Sequence, residues 1–142
     1  MRRAMFASLI LGLLAGCVIG PKVDAFPPAR RPEGVGIDGS TTRQGSFTGE
    51  LLEVRDAGLL LLLVPPATAT TKRLVLLPYR AIHEARFDRL GAHYELKDGQ
   101  PPTAATRERL QRVSRFPQGL SDPLLRTLLD AYGQAEIEQV PE

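Results

Sequence analysis

From Phe47 to Phe87 the apolar residues come in short blocks separated by turn formers, which is the signature of strands. Phe47 to Arg55 reads as a first strand, with Gly49 as its bend or bulge. Asp56-Ala57-Gly58 supplies a turn, because Gly58 can take a positive φ without steric cost. Leu59 to Val64 is a run of six aliphatic residues. That is far too short to cross a bilayer, and apolar side chains on both faces imply a strand covered on both sides. Pro65-Pro66 ends it, and a Thr-rich loop follows over residues 68–71. Arg73 to Leu77 and Ile82 to Phe87 read as further strands joined by a Pro78-Tyr79-Arg80 turn. His93 to Leu96 is a short last strand that stops at Asp98-Gly99.

Beyond Gly99 the pattern becomes helical. Thr103 to Arg115 is rich in helix formers, with Leu110 and Val113 as its apolar positions, and Phe116-Pro117-Gln118-Gly119 breaks it. Asp122 is the expected N-cap of a second helix, with Pro123 at the first helical position. Leu124, Leu125, Leu128, Leu129 and Tyr132 then share one face, Arg126 lies opposite, and Gly133 suits the C-cap. That face, Leu128 included, is expected in the core. Residues 134–142 carry Glu136, Glu138 and Glu142 and no basic residue, and read as an acidic tail that frays.

The fold class expected is therefore α+β. It is a small antiparallel β-barrel or sheet of about five strands, followed by one or two C-terminal helices packed on it. Residues 46–133 form the folded domain, with 46–98 as the barrel and 103–133 as the helices. Gly49-Glu50-Leu51-Leu52-Glu53-Val54, the turn at Gly58, the aliphatic strand and Leu77-Pro78-Tyr79-Arg80-Ala81-Ile82 together resemble small barrels of the SH3-like and Sm-like type. In those barrels a proline-aromatic turn precedes the last strand. The resemblance implies a fold and no particular function.

Upstream, residues 18–45 carry Pro21, Pro27, Pro28 and Pro32 and five glycines, with apolar residues in no period. This reads as a disordered Pro/Gly-rich linker, spanning roughly 30 Å r.m.s.. Within it, Gly34-Val35-Gly36-Ile37-Asp38-Gly39 matches the glycine fingerprint of dinucleotide sites. That chemistry needs a strand before the glycines and a helix after them. Prolines precede this stretch and Ser40-Thr41-Thr42 follows it, so a flexible turn is the reading and no cofactor is expected.

The N-terminus has another pattern. Arg2-Arg3 is followed by an apolar run from Ala4 to Leu14 and then by Leu14-Ala15-Gly16-Cys17, the cysteine being the only one in the chain. A positive n-region, an h-region and small residues before a cut are the parts of a secretory signal peptide. The 13 residues from Ala4 to Gly16 are too few for a permanent span, which takes about 20. The arrangement resembles the bacterial lipoprotein signal, whose lipobox has a leucine, two small residues and then the cysteine. The resemblance implies a diacylglycerol on the Cys17 sulfur, cleavage just before Cys17 and acylation of the new amino group. Stable anchoring takes more than one acyl chain, and this modification supplies them. Residues 1–16 would then be the signal peptide, and residues 17–45 the lipidated cysteine and its linker. The competing reading is an ordinary secreted protein with Cys17 just past the cut. Val18 stands where an Asp often retains a lipoprotein in the inner membrane, which favours the periplasmic face of the outer membrane in a two-membrane bacterium. In a single-membrane bacterium the protein would sit on the outer cell face.

Charge supports the same picture. The chain has 18 basic and 16 acidic residues, and two of the basic ones are Arg2 and Arg3, so the part from Cys17 onward is formally neutral. A nucleic-acid partner, which calls for a basic stripe, is not expected. With Cys17 acylated no internal disulfide can form, so the domain must be stabilised by its core.

No catalytic motif stands out, and the chain is read as a non-enzyme. His83 and His93, with Glu84, Asp88 and Glu95 nearby, evoke a metal site, but a catalytic zinc needs three convergent ligands, and solvated strand residues are the preferred reading. Arg107, Arg109, Arg112 and Arg115 form the densest basic cluster. Its functional reading is contact with anionic headgroups or lipopolysaccharide phosphates, and its preferred one is a solvated helix face. Arg112, Arg115, Phe116 and Pro117 are the candidate partner contact, since aromatics and arginine dominate interface hot spots. The alternative is a Phe-Pro pair folded back as a hydrophobic stopper. The expected partners are the bilayer, through acylated Cys17, and an envelope protein. The leading expectation is a membrane-anchored interaction or envelope-structure module, and the second is a small-ligand or lipid-binding lipoprotein with a pocket between barrel and helices.

Overall fold

The computed structural model describes residues 33–65, 67 and 69–142. Cys17 and the segments read as a signal peptide and as the linker up to residue 32 lie outside the described residues. The rest is α+β: a seven-stranded mixed sheet with two helices. In chain order the elements are β1 (Gly36–Thr41), β2 (Gly45–Val54), β3 (Gly58–Leu63), β4 (Arg73–Pro78), β5 (Ile82–Phe87), β6 (Leu96–Lys97), α1 (Ala104–Val113), α2 (Asp122–Ala131) and β7 (Glu138–Gln139). The spatial order is β6-β5-β1-β2-β3-β4-β7. All pairs are antiparallel except β4–β7. The sheet is open, so of the two alternatives the sheet holds and the barrel does not, and it has two strands more than the roughly five expected and one parallel pair.

Both extra strands come from segments that composition marks as unstructured. β1 occupies the stretch read as the end of the linker. It lies in the middle of the sheet, paired along its length with β2 on one side and β5 on the other. Ile37 points into the core at 2% exposure. Gly39 faces Phe47 across one ladder and Ala85 across the other. A Cβ built on Gly39 would lie 2.1 Å from the Glu84 carbonyl oxygen and 2.9 Å from the Phe47 ring. The glycine that suggested a flexible turn is there because the sheet closes too tightly around it for any side chain. β7 forms in the segment read as a fraying tail, where Val140 is buried and Ile137 packs on the core.

The aliphatic run behaves as its pattern requires. Leu59 and Leu61 belong to one core cluster, with Ile37, Leu51, Val54, Leu77 and Phe87. Leu60 and Leu62 belong to another, with Leu52, Leu74 and Leu129. Alternate side chains leave opposite faces of a strand, so β3 is covered on both. The bulge expected at Gly49 is instead at Leu52, where the β2–β3 register shifts between Leu51 and Glu53. It lets Leu51 and Val54 reach the first cluster while Leu52 reaches the second.

Each face has its own helix. α1 gives Leu110, fully buried, to the first cluster. Its N-cap is Thr103, whose hydroxyl accepts from Thr106 N. α2 gives Leu129 to the second cluster, with Leu125, Leu128 and Tyr132 half-buried against it. Ser121, one residue before the expected Asp122, is its N-cap, and Gly133 follows the helix at φ 67°. Between the helices the chain crosses from face to face around β2: Arg115 N donates to Leu51 O and Phe116 N to Leu52 O.

The position of β1 yields a direct test. A chain shortened to begin at Gly45 loses the strand that joins β5 to β2, and should give a non-cooperative melt by circular dichroism. A chain beginning at Glu33 should melt as one unit.

Candidate functional site

The residues picked out as a partner contact do not form one surface. Arg115 is turned inward. Its Nε and Nη2 donate to Glu50 Oε1 and Oε2, each at 2.7 Å, and the two side chains are 22% and 15% exposed. Glu50 Oε1 also accepts from Gly34 N at 2.6 Å. Val35 N donates to Val113 O, and Leu51 N to Val35 O. Glu50 and Arg115 thus clamp the end of α1 and the entry of β1 onto the same stretch of β2. Gly34 fits only as glycine, since a Cβ there would lie 2.1 Å from Leu51 O. Phe116 folds back on the second core cluster, which is the stopper reading. Pro117 is exposed, and Arg112 is exposed and paired with Glu108 one helical turn back.

The arginine cluster is dispersed in the same way. Arg107 Nη2 meets Asp56 Oδ1 at 2.5 Å, and the Arg109 guanidinium lies 5.5 Å from the centre of the Tyr94 ring. The four arginines are each engaged within the chain and do not present a common anion-binding face. Beside Arg107, the Tyr79 hydroxyl donates to Arg55 O at 2.9 Å, and burial pushes its pKa above the ordinary phenol value despite the nearby Arg107 charge.

The histidines stand apart. His83 is mostly exposed, with Nδ1 3.9 Å from Asp98 Oδ1, and His93 packs on Tyr94. Two of their three acidic neighbours are held by cations: Arg86 pairs with Glu84 and Glu95, and Lys97 with the same two carboxylates. The hydrogen bond from Lys97 holds the Glu95 carboxyl below the usual range. Among the described residues no group of three or more His, Cys, Asp or Glu is placed to hold a metal ion. No helix among them is long and apolar enough to cross a membrane.

Two connected features remain at the β4 side of the sheet. The first is a pocket of about 120 Å³ where the β1–β2 hairpin curls over the first core, lined by Gln44, Phe47, Leu61, Leu63, Leu77 and Val140 among others. The second is the seat of the tail. Gln134 Oε1 accepts from Leu74 N at 2.6 Å and its Nε2 donates to Leu74 O at 3.1 Å, so one side chain amide takes the place of a strand. Glu138 and Gln139 then pair in parallel with Val75 and Leu76, Val140 N donates to Leu76 O, and Arg73 Nη2 meets Glu138 Oε2 at 2.7 Å. Ile137 reaches the second core and Val140 the first. The signal for this was the spacing: residues three apart in an extended chain leave opposite faces, so Ile137 and Val140 suit a sheet with a core on each side.

Compared with known proteins, the chain matches no family model, no curated protein and no solved structure, so its function has to be read from its own residues.

The clamp separates Arg115 from Arg112 sharply. Arg115→Met should lower stability by about 1.5–3 kcal/mol, the range for hydrogen bonds to charged groups. Arg112→Ala removes an exposed helix pair and should cost about 0.5 kcal/mol or less. Parallel denaturant titrations of the two variants check this.

Proposed function

We propose that this chain is a lipid-anchored, extracytoplasmic lipoprotein whose domain works as a non-enzymatic interaction or envelope-structure module. The observation that carries the anchor is the lone cysteine at the end of Leu14-Ala15-Gly16-Cys17, behind Arg2-Arg3 and an apolar run. On this reading Cys17 carries the acyl chains and the bilayer is the first partner. Val18 favours the outer membrane, with the domain on its periplasmic face. The folded part begins within about 16 residues of Cys17, so a short tether holds it near the surface. An envelope protein is the second partner.

The interior favours interaction over ligand storage. The cores beneath the helices are covered: Leu51, Leu59, Leu60 and Leu61 of the sheet and Leu110 of α1 are completely buried. The helices lie on opposite faces, so they do not enclose a common chamber with the sheet. The pocket beside Val140, at about 120 Å³, is small against the roughly 300–1,000 Å³ of sites that enclose a drug-sized ligand.

Cys17→Ala should abolish both membrane attachment and processing. Fractionation of a bacterial host, with mass spectrometry of the product, checks it. A variant that stays membrane-bound at the wild-type mature mass contradicts the lipoprotein reading. Crosslinking of the wild-type chain in the envelope should then recover a protein neighbour.

A further inference from the structure

We propose that the outer edge of β4, with the pocket beside Val140, is a docking groove for an extended segment of a partner protein, and that this chain's own residues Gln134–Val140 occupy it as an exchangeable strap. The inference deepens the interaction reading above and rests on it only in that the chain binds a protein. Whether Cys17 is acylated has no bearing on it.

Four observations converge. First, the unprotected edge of a sheet is a template for another strand. Here β4 offers its outer edge at Leu74 and Leu76, which accept Gln134 and β7. Second, the occupant is held lightly. β7 has two ladder positions against the six of β3–β4, and both of its residues are exposed. The Arg73–Glu138 pair is half exposed, so it orients the strand more than it secures it. Short, solvent-facing elements of this kind open at a lower cost than the core. Third, the seated segment displays the chemistry that the groove accepts: an aliphatic residue into the second core, a carboxylate against Arg73, and an apolar residue into the first core. Fourth, the seat is underfilled. Val140 lines a pocket of about 120 Å³ together with Leu61, Leu63, Leu77 and Phe47. A cavity of that order accommodates a larger apolar group. The preferred partner segment is therefore aliphatic, acidic, polar and then large apolar, running parallel to β4.

The test uses fluorescein-labelled peptides and the full chain. One peptide has the sequence of residues 134–142, and a second carries Val140→Leu. The protein is compared with its Val140→Ser variant, which loosens the strap and leaves β4 intact. The peptides should bind the variant at least tenfold more tightly than the wild type, because the strap no longer competes. The Val140→Leu peptide should bind at least threefold more tightly than the Val peptide. In the unlabelled wild-type chain, the Val140 amide should exchange hydrogen at least a hundredfold faster than the Leu61 amide. A Val140 amide as slow as that of Leu61 means that the strap opens only with the whole domain, and overturns the proposal whether or not the variant folds. A folded variant that binds neither peptide also overturns it. A concentration-dependent dimer formed by exchange of the strap would assign the groove to a second copy and overturn the partner assignment. None of these results bears on fractionation of Cys17→Ala, so the two readings fail separately.

Discussion

The sheet depends on a central strand in which two of the six residues are glycine. β1 hydrogen-bonds on both edges, to β2 and to β5, and without it β5 and β6 have no ladder to the rest. Glycine is a poor strand former because it loses the most backbone freedom on ordering. The cost is offset by pairing on both sides and by the burial of Ile37. The close approach of the Glu84 carbonyl and the Phe47 ring to Gly39 turns the missing side chain into a packing requirement.

A second constraint follows from where β1 enters. Glu50 on β2 accepts from both Gly34 and Arg115, so the start of the sheet and the end of α1 are fixed at one point. From that point the chain passes around β2 to the other face, and Phe116 begins the second core. The position of α2 on the face opposite α1 is thus set by the same carboxylate that holds the entry of the fold.

Much of the fold was legible in the sequence, and the failures have a common cause. The run Leu59–Val64 announced a strand covered on both faces, Pro78-Tyr79 announced a turn, and the second helix stops at Ala131, two residues before the glycine expected to cap it. β1 and β7 were missed because tertiary pairing overrode local preference: the glycines of one and the glutamates of the other speak against strands until a neighbour is present. Of the candidate site, Phe116 was rightly suspected of folding back. Arg115 misled because Glu50, its partner, is 65 residues away, and no local spacing reveals such a pair. The tail seat was legible only in the interval between Ile137 and Val140, which has meaning once the sheet is known to be covered on both sides.

Among the described residues many charged groups are paired within the chain, and the β4 edge carries a strap of the chain's own making. This account stands on the claim that the glycine-rich segment is a packed central strand and not part of a tether. The most direct measurement is the thermal melt of Gly39→Val in the full chain. Valine is among the best strand formers and would be harmless in a flexible linker. The account predicts that the variant loses most of its stability or fails to melt cooperatively, because there is no room beside Glu84 and Phe47. A melt that matches the wild type would contradict it.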